Sequence, residues 1–399
     1  MGVEMVGRRR GRAACGLGIV LLLVLSLLQA SASGAAETNP RLEAPTGLVV
    51  APGVGAVTIS WQALSLTGVT YIVRSSPSGL TCAVVDETSC TLTDRSSTPF
   101  SFSVIATKNG SRNSVPSPSS APLRTHLVLV VVGQSNATGW QSFVTDPITG
   151  IDYLAAPYTN GADSHDLITW EPWWVYPAPG TGPVALDTPQ VCSIGPVNTV
   201  FGPEIGLARQ LWTDTGRSAT IVKATYAGSD LASNWGPSLH GGLFDSTVSD
   251  VTGLMATDAA AGQFDVLGGF FSVMGESDAA FPDTAAAYHQ NLKQFVLALR
   301  AQLPMANTAP IVLSNEDISA YLVYLEAQGE LTATQVSLLQ AQNATVRAAN
   351  DWAASRLHDV FVVDTSQLAR FNPPLVHLTN VSELTLGGEM AKVAEPQIP

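Results

Sequence analysis

Apolar positions along this chain follow two rhythms. From Ala44 to Pro122 they come in short runs separated by turn residues. Ala56-Val-Thr-Ile-Ser-Trp61 and Phe100-Ser-Phe-Ser-Val-Ile-Ala106 alternate with a period of two, and Pro45–Val50, Thr70–Arg74, Cys82–Val85 and Ser89–Leu92 are shorter runs of similar character. Successive side chains of a strand point to opposite faces, so this pattern predicts strands with one buried side. Asn109-Gly110 is a turn pair. So many short strands in so short a stretch predict an all-β sandwich, with Trp61 and Tyr71 in its core. Ser114–Pro122, rich in proline and serine, reads as a linker that can also hold the last strand of the sandwich.

The second rhythm begins at His126. Leu127–Val132 is six apolar residues in a row. A run this short and apolar on all sides predicts a strand buried on both faces, as in a parallel sheet covered by helices. Ser218–Thr225, Phe264–Val273, Ala309–Ser314 and Asp359–Asp364 predict four more strands. Between and after them lie helical patterns. Gly202–Trp212 has Pro203 at an early position, Tyr288–Leu303 has apolar residues at 288, 292, 295, 296 and 299, and Thr332–Leu357 and Leu384–Ala394 follow. Strands alternating with helices predict an α/β architecture. The insert 140–200, with Trp170-Glu-Pro-Trp-Trp174, is too long for a plain connector. It reads either as a rim or lid over a site or as surface packing of aromatics.

Composition adds an address and removes some partners. A chain of 399 residues is long for one domain, and 46% hydrophobic with 13% charged residues is globular. The net charge is −13, and residues 1–36 hold Arg8, Arg9, Arg10 and Arg12 against Glu4 alone. The remainder is more acidic still, with nothing basic to follow a phosphate backbone, so nucleic acid is not an expected partner. The arginines, the apolar stretch Gly16–Leu28 and the small-residue sites Ala30-Ser-Ala32 and Gly34-Ala-Ala36 are the parts of a secretory signal. We therefore expect residues 1–36 to be removed and the protein to be secreted, with no stable membrane insertion. A retained anchor is the alternative, for which the apolar stretch is short. Cys15 lies in the signal. Cys82 and Cys90 are close enough to pair in an exported protein, leaving Cys192 either buried and inert or a free thiol. No Cys/His cluster has metal-ligand spacing, and no cofactor is implied.

Chemistry concentrates at the strand ends. Ligands of open α/β sheets bind outside the carboxyl ends of the strands. Here those ends carry Gln134-Ser135-Asn136, Ala227-Gly228-Ser229, Gly275-Glu276-Ser277-Asp278 and the loop before His377. A serine at such an end lies beside free amides of a helix start, which can steady an oxyanion. A serine early and a histidine late in the chain suit a nucleophile and its base. Taken alone, Gly133-Gln-Ser-Asn136 fits a turn or a helix cap equally well, and the Gly-x-Ser-x-Gly elbow is not found around Ser135. Asn109, Asn136, Asn343 and Asn380 match the glycosylation acceptor pattern, and Asn136 is expected to stay bare because it belongs to the proposed site.

These blocks carry a resemblance. Gly133-Gln-Ser-Asn136, Gly202-Pro-Glu204, Lys223 through Gly228-Ser229 and Leu231–Trp235, Gly275-Glu-Ser-Asp278, and His377 with Leu386-Gly387 resemble the SGNH-type carbohydrate esterases. The nearest group is the sialate O-acetylesterases and acetylxylan esterases, carbohydrate esterase family six. The resemblance implies a three-layer, flavodoxin-like α/β domain over 126–399. It implies Ser135 as nucleophile, His377 as general base and Glu276 as the group orienting it, with Asp278 and Asp364 as fallbacks. Gln134, Asn136, Gly228 and Ser229 would line the oxyanion and substrate site. The implied reaction removes O-acetyl groups from a carbohydrate. Residues 44–125 resemble a fibronectin type III domain through Pro45, Trp61, Tyr71 and Phe102–Ser111.

Two positions depart from the esterase pattern. Met274 stands where the family usually has a glutamine whose amide can serve the oxyanion, and Pro374 where many relatives have an aspartate. Two other readings stay open for that reason: an SGNH-fold binding or adhesion protein with an impaired site, and an esterase for non-sugar esters.

Overall fold

The computed structural model describes residues 39–398, apart from 78, 94–98, 147, 172–182, 189, 193–197, 239–241, 304 and 372–375. The signal at 1–36, Trp173, Trp174 and Pro374 lie outside the described residues, and so does the side chain of Cys192. Among the described residues no helix is long and apolar enough to cross a membrane.

The N-terminal strands are β1 (Thr46–Gly53), β2 (Ala56–Gln62), β3 (Thr70–Ser76), β4 (Thr81–Val85), β5 (Ser89–Leu92) and β6 (Ser101–Thr107). They form two antiparallel three-stranded sheets, ordered β1-β2-β5 and β4-β3-β6. The alternation places Val57, Ile59 and Trp61 of β2 in one core with Tyr71 and Val73 of β3 and Phe102, Val104 and Ala106 of β6. Trp61 and Tyr71 meet with ring centroids 5.4 Å apart. Cys82 on β4 is bonded to Cys90 on β5, joining the two sheets.

The proline–serine stretch is neither a free linker nor a strand. Ser114, Ser117, Ser120 and Leu123 donate their amides to the carbonyls of Ala106, Val104, Phe102 and Phe100. The three serine hydroxyls in turn accept from the amides of Ala106, Val104 and Phe102 at 2.9–3.0 Å. Every third residue thus faces β6, the period of an extended proline-rich chain. Proline has no amide to pair, and the serine hydroxyls accept the β6 amides that a neighbouring strand's carbonyls would otherwise take.

The α/β part then runs β7 (Thr125–Gly133), α1 (Ser135–Thr138), α2 (Gly161–His165), β8 (Leu167–Glu171), β9 (Val184–Ala185), β10 (Gln190–Cys192), β11 (Asn198–Val200), α3 (Pro203–Thr215) and β12 (Ala219–Thr225). It continues α4 (Leu243–Ala260), β13 (Phe264–Val273), α5 (Glu276–Ala279), α6 (Pro282–Gln302), β14 (Ile311–Asn315), α7 (Ser319–Ala327), α8 (Ala333–Arg356), β15 (Val360–Asp364) and α9 (Asn380–Ala394). A seven-stranded sheet ordered β15-β14-β13-β7-β12-β8-β9 results, parallel except for β9. All five predicted strands are present. Part of the long insert belongs to the main sheet: its Leu167–Glu171 segment pairs beside β12, and Trp170 packs against the core. The helices α4 and α7 were not anticipated, and their apolar faces are narrow and interrupted by serine, threonine or tyrosine.

The period of two along β7 builds three layers. Leu127, Leu129 and Val131 join the core with Ile205 and Leu211 of α3 and Leu386 and Met390 of α9. Val128, Val130 and Val132 join Phe244 and Val251 of α4, Leu292 and Phe295 of α6 and Ala349 of α8. On the first face α3 and α9 approach closely. A Cβ on Gly206 would stand 2.0 Å from the carbonyl of Leu384, and one on Gly387 1.9 Å from that of Pro203. The first core also includes Phe100 and Leu123, and Phe100 meets Phe264 of β13 edge-on at 6.4 Å. Residues 41–399 cluster as one compact unit.

Candidate active site

The carboxyl ends of the three central strands coincide. Gly133 is opposite Thr225 of β12 and Val273 of β13. Chain order reverses here, since β12 is added on one side of β7 and β13 on the other, the place where open α/β sheets form their crevice. The turn out of β7 is tight. Gly133 has φ +145°, and a Cβ there would lie 2.0 Å from the carbonyl of Val273. The single turn of α1 starts at Ser135 and is closed by Gly139 in the left-handed region.

Ser135 keeps 7% of its surface exposed while Asn136 beside it has none, so the serine stays within reach of the crevice. Among the described residues its hydroxyl makes no hydrogen bond, and its backbone N–H and that of Gly228 donate to no protein group. Three other predicted site residues have their side chains engaged within the protein. Gln134 Oε1 accepts from the amides of Gly275 and Ser277 at 3.2 and 3.3 Å. Ser229 Oγ accepts from the indole of Trp235 at 2.9 Å. Asn136 Nδ2 donates to Glu276 Oε1 at 2.6 Å and to the carbonyl of Val376 at 3.4 Å, while its Oδ1 accepts from the amide of Leu378 at 3.0 Å.

That last pair matters most for geometry, because the residue next to Ser135 grips both neighbours of His377. The Ser142 hydroxyl donates to the carbonyl of Leu378 at 3.2 Å, and Asn380 Nδ2 donates to that of Phe143. The two loops are therefore stitched together along 136–143 and 376–380. His377 itself places Nδ1 3.0 Å from Gln141 Oε1, and its ring lies 6.1 Å from that of Trp140. Burial and the charge of Arg370 hold the imidazole down at about 4.

Glu276 is bonded to Asn136 and not, among the described residues, to His377. Burial and the neighbouring Glu316 push it up to about 8, so at neutral pH it is largely a carboxylic acid. Asp278 is fully buried, pushed up to about 7 by burial, and accepts the Leu231 amide at 3.1 Å. Asp364 pairs with Arg347 at 2.9 Å and accepts from Ser366. Met274 is buried in the core with Val132 and Tyr288.

Beneath the site lies a buried ionic layer. Lys223 Nζ bonds Glu204 at 2.9 Å, Gln190 at 2.9 Å and the carbonyl of Thr138, the last residue of α1, at 3.1 Å. Arg370 pairs with Glu316 at 3.0 Å. Glu383 of α9 is fully buried and raised well above the ordinary carboxyl range by burial and by Glu316 and Glu204. The sequence marked Lys223 and Glu204 only as matching blocks. It gave no sign of Gln141, Arg370, Glu316 or Glu383, whose places depend on contacts between segments distant in the chain. Among the described residues no group of three His, Cys, Asp or Glu is arranged to hold a metal ion.

Residues 125–395 match the family of carbohydrate esterases described as sialic acid-specific acetylesterases. The chain belongs to this family. Membership in these esterases supports a carbohydrate acetylesterase, and the mostly parallel seven-stranded sheet fits a hydrolase fold. No sequence among the curated proteins matches the chain. Solved structures resemble it only distantly. A protein from Arabidopsis thaliana is 16% identical, covering 69% of this chain and 99% of its own, with a TM-score of 0.47. A carbohydrate acetylesterase from Xanthomonas citri is 16% identical over 89% of this chain and 75% of its own, with a TM-score of 0.43. NanS is 15% identical over 68% and 97%, with a TM-score of 0.43.

Proposed function

We propose that the protein is a secreted serine esterase that removes O-acetyl groups from a carbohydrate of the sialic acid or xylan type. The observation that carries this reading is the grip of Asn136 on Val376 and Leu378, which brings His377 to the loop of Ser135. Ser135 Oγ attacks the acetyl carbonyl carbon, and its proton passes to His377 Nε2. The amides of Ser135 and Gly228 hold the developing oxyanion. Collapse breaks the bond to the sugar oxygen, which takes the proton from His377, and leaves acetyl-Ser135. Water then attacks the acetyl group, gives its proton to His377, and acetate departs as the serine is reprotonated. No cofactor enters this scheme.

In this proposal residues 1–36 are a signal peptide, 44–125 a fibronectin type III-like module and 126–399 the esterase domain, within carbohydrate esterase family six. The Cys82–Cys90 disulfide is compatible with an extracellular protein. A second reading, an impaired binding protein, draws on Met274, which fills core space where the family's glutamine would offer an amide.

The test is hydrolysis of an aryl acetate, acetylated xylan and acetylated sialic acid by the mature protein beside Ser135→Ala and His377→Ala. Loss of turnover in both variants is the expected result. A folded wild type no faster than blank would refute the esterase and leave the binding reading.

A further inference from the structure

A serine esterase needs its histidine in one tautomer, with Nε2 free to take the serine proton and Nδ1 carrying hydrogen toward a fixed acceptor. Acids are the usual acceptors. The acids near this histidine are committed elsewhere: Glu276 to Asn136, Glu316 to Arg370. The side-chain acceptor on Nδ1 is an amide oxygen, Gln141 Oε1 at 3.0 Å. A carbonyl oxygen can only accept, so the contact assigns the hydrogen to Nδ1 and the lone pair to Nε2.

Three further observations single out Gln141. It has φ +70°, a conformation that residues other than glycine seldom adopt and that recurs at functional sites. The turn that holds it there is built on the nucleophile segment itself, since the Trp140 amide donates to the carbonyl of Ser135 at 2.9 Å and the Ser142 amide to that of Gly139 at 2.9 Å. On the far side Ser142 is tied to Leu378. Nucleophile, acceptor and histidine are thereby fixed in one short circuit of bonds.

We propose that Gln141 is the positioning residue for His377, a neutral amide standing where a serine-hydrolase triad has its acid. This inference rests on the reading of Ser135 and His377 as nucleophile and base. The consequence is a base held in place without a counter-charge. Among the described residues the charge that acts on the ring is Arg370, paired with Glu316. Glu276 is bonded to Asn136 and largely protonated at neutral pH, and the nucleophile segment brings the neutral Trp140 and Gln141 against the ring. An imidazolium formed during the reaction is then an unusually strong acid, ready to return its proton to the leaving sugar oxygen.

The experiment compares wild type, Gln141→Leu and Gln141→Glu for kcat, KM and the pH profile of kcat/KM. The imidazole titration of His377 is followed by NMR in each protein, with Ser135→Ala and His377→Ala as references. Gln141→Leu removes the acceptor, and kcat is expected to fall on the order of 10–100-fold with KM little changed. Gln141→Glu keeps size and acceptor and adds a charge. It should retain most of the neutral-pH rate and move both the acid limb and the NMR titration of His377 upward by about one pH unit or more. If Gln141→Leu keeps the wild-type rate and profile while Ser135→Ala and His377→Ala are inactive, the positioning role is refuted and the esterase stands. If the wild type hydrolyses nothing, the esterase reading fails by itself, and the NMR titration still decides the contact. An unmoved His377 in Gln141→Glu overturns it.

Discussion

At the scale of single residues, the site is governed by what each polar group already touches. His377 is half-buried beside a guanidinium, and its imidazole is held down at about 4. A base with that value stays unprotonated far below the usual histidine range. The acid limb of kcat/KM is therefore expected at about pH 4, with the rate falling as pH drops through it. A limb between pH 6 and 7 would mean that His377 meets a counter-charge in the active enzyme. Asn136 is the second decisive residue. Replacing it with alanine unties Val376 and Leu378 and leaves Glu276 without its partner. Loss of buried hydrogen bonds of this kind costs about 1–3 kcal/mol. A histidine displaced by an ångström can cost about 100-fold in rate. Asn136→Ala should thus lower both Tm and kcat, and a variant with wild-type kcat would show that the grip is dispensable.

At the scale of elements, two contacts hold the architecture around the site. The α3/α9 pair packs through Gly206 and Gly387, each against the partner's backbone. Backbone cannot rotate away as a side chain can, so an added methyl must push the helices apart. Gly387→Ala is expected to cost about 1–3 kcal/mol or more in overpacking, seen as a lower Tm by calorimetry. Because Thr379 and His377 precede α9 directly, a loss of activity should accompany it. Gly388→Ala is the matched control, since its nearest neighbour is the Gln210 side chain at 3.7 Å. Equal Tm values for the two variants would contradict the close approach. The proline–serine edge on β6 is the other contact. Its three serines bond through both amide and hydroxyl, so the chain enters β7 from a fixed line rather than a loose tether.

For the whole molecule, buried acids set the response to pH. Burial pushes Asp166, Asp265 and Asp278 up to about 7 and Glu276 up to about 8. A carboxyl raised in the folded state binds its proton more tightly there than in the unfolded chain. Its contribution is full below the unfolded value near 4 and is lost as pH climbs through 7 and 8. His377 and His126 are lowered and act in the opposite sense, losing stability as pH falls below about 6.5. With Glu383, raised well above the ordinary range, five raised carboxyls outweigh two lowered imidazoles, so Tm should fall between pH 5.5 and pH 9. Glu276→Gln should flatten part of that fall. A Tm rising toward pH 9 would show these groups to be ionised in the folded protein.

The sequence alone determined what depends on local pattern. Period-two alternation and the six-residue apolar run of Leu127–Val132 fixed the strand types and the α/β order, because strand geometry dictates which positions meet a core. The blocks around Ser135, Glu276 and His377 marked one edge of the sheet, because parallel strands present their carboxyl ends together. Only the tertiary structure decided who bonds to whom. It took Glu276 to Asn136, gave His377 to Gln141, drew part of the insert into the sheet and turned the proline–serine stretch into an edge of β6. These partners lie as far apart in the chain as 140 residues for Glu276 and Asn136 and 236 for His377 and Gln141, and a polar side chain carries no mark in the sequence of which distant group will be within hydrogen-bond reach of it.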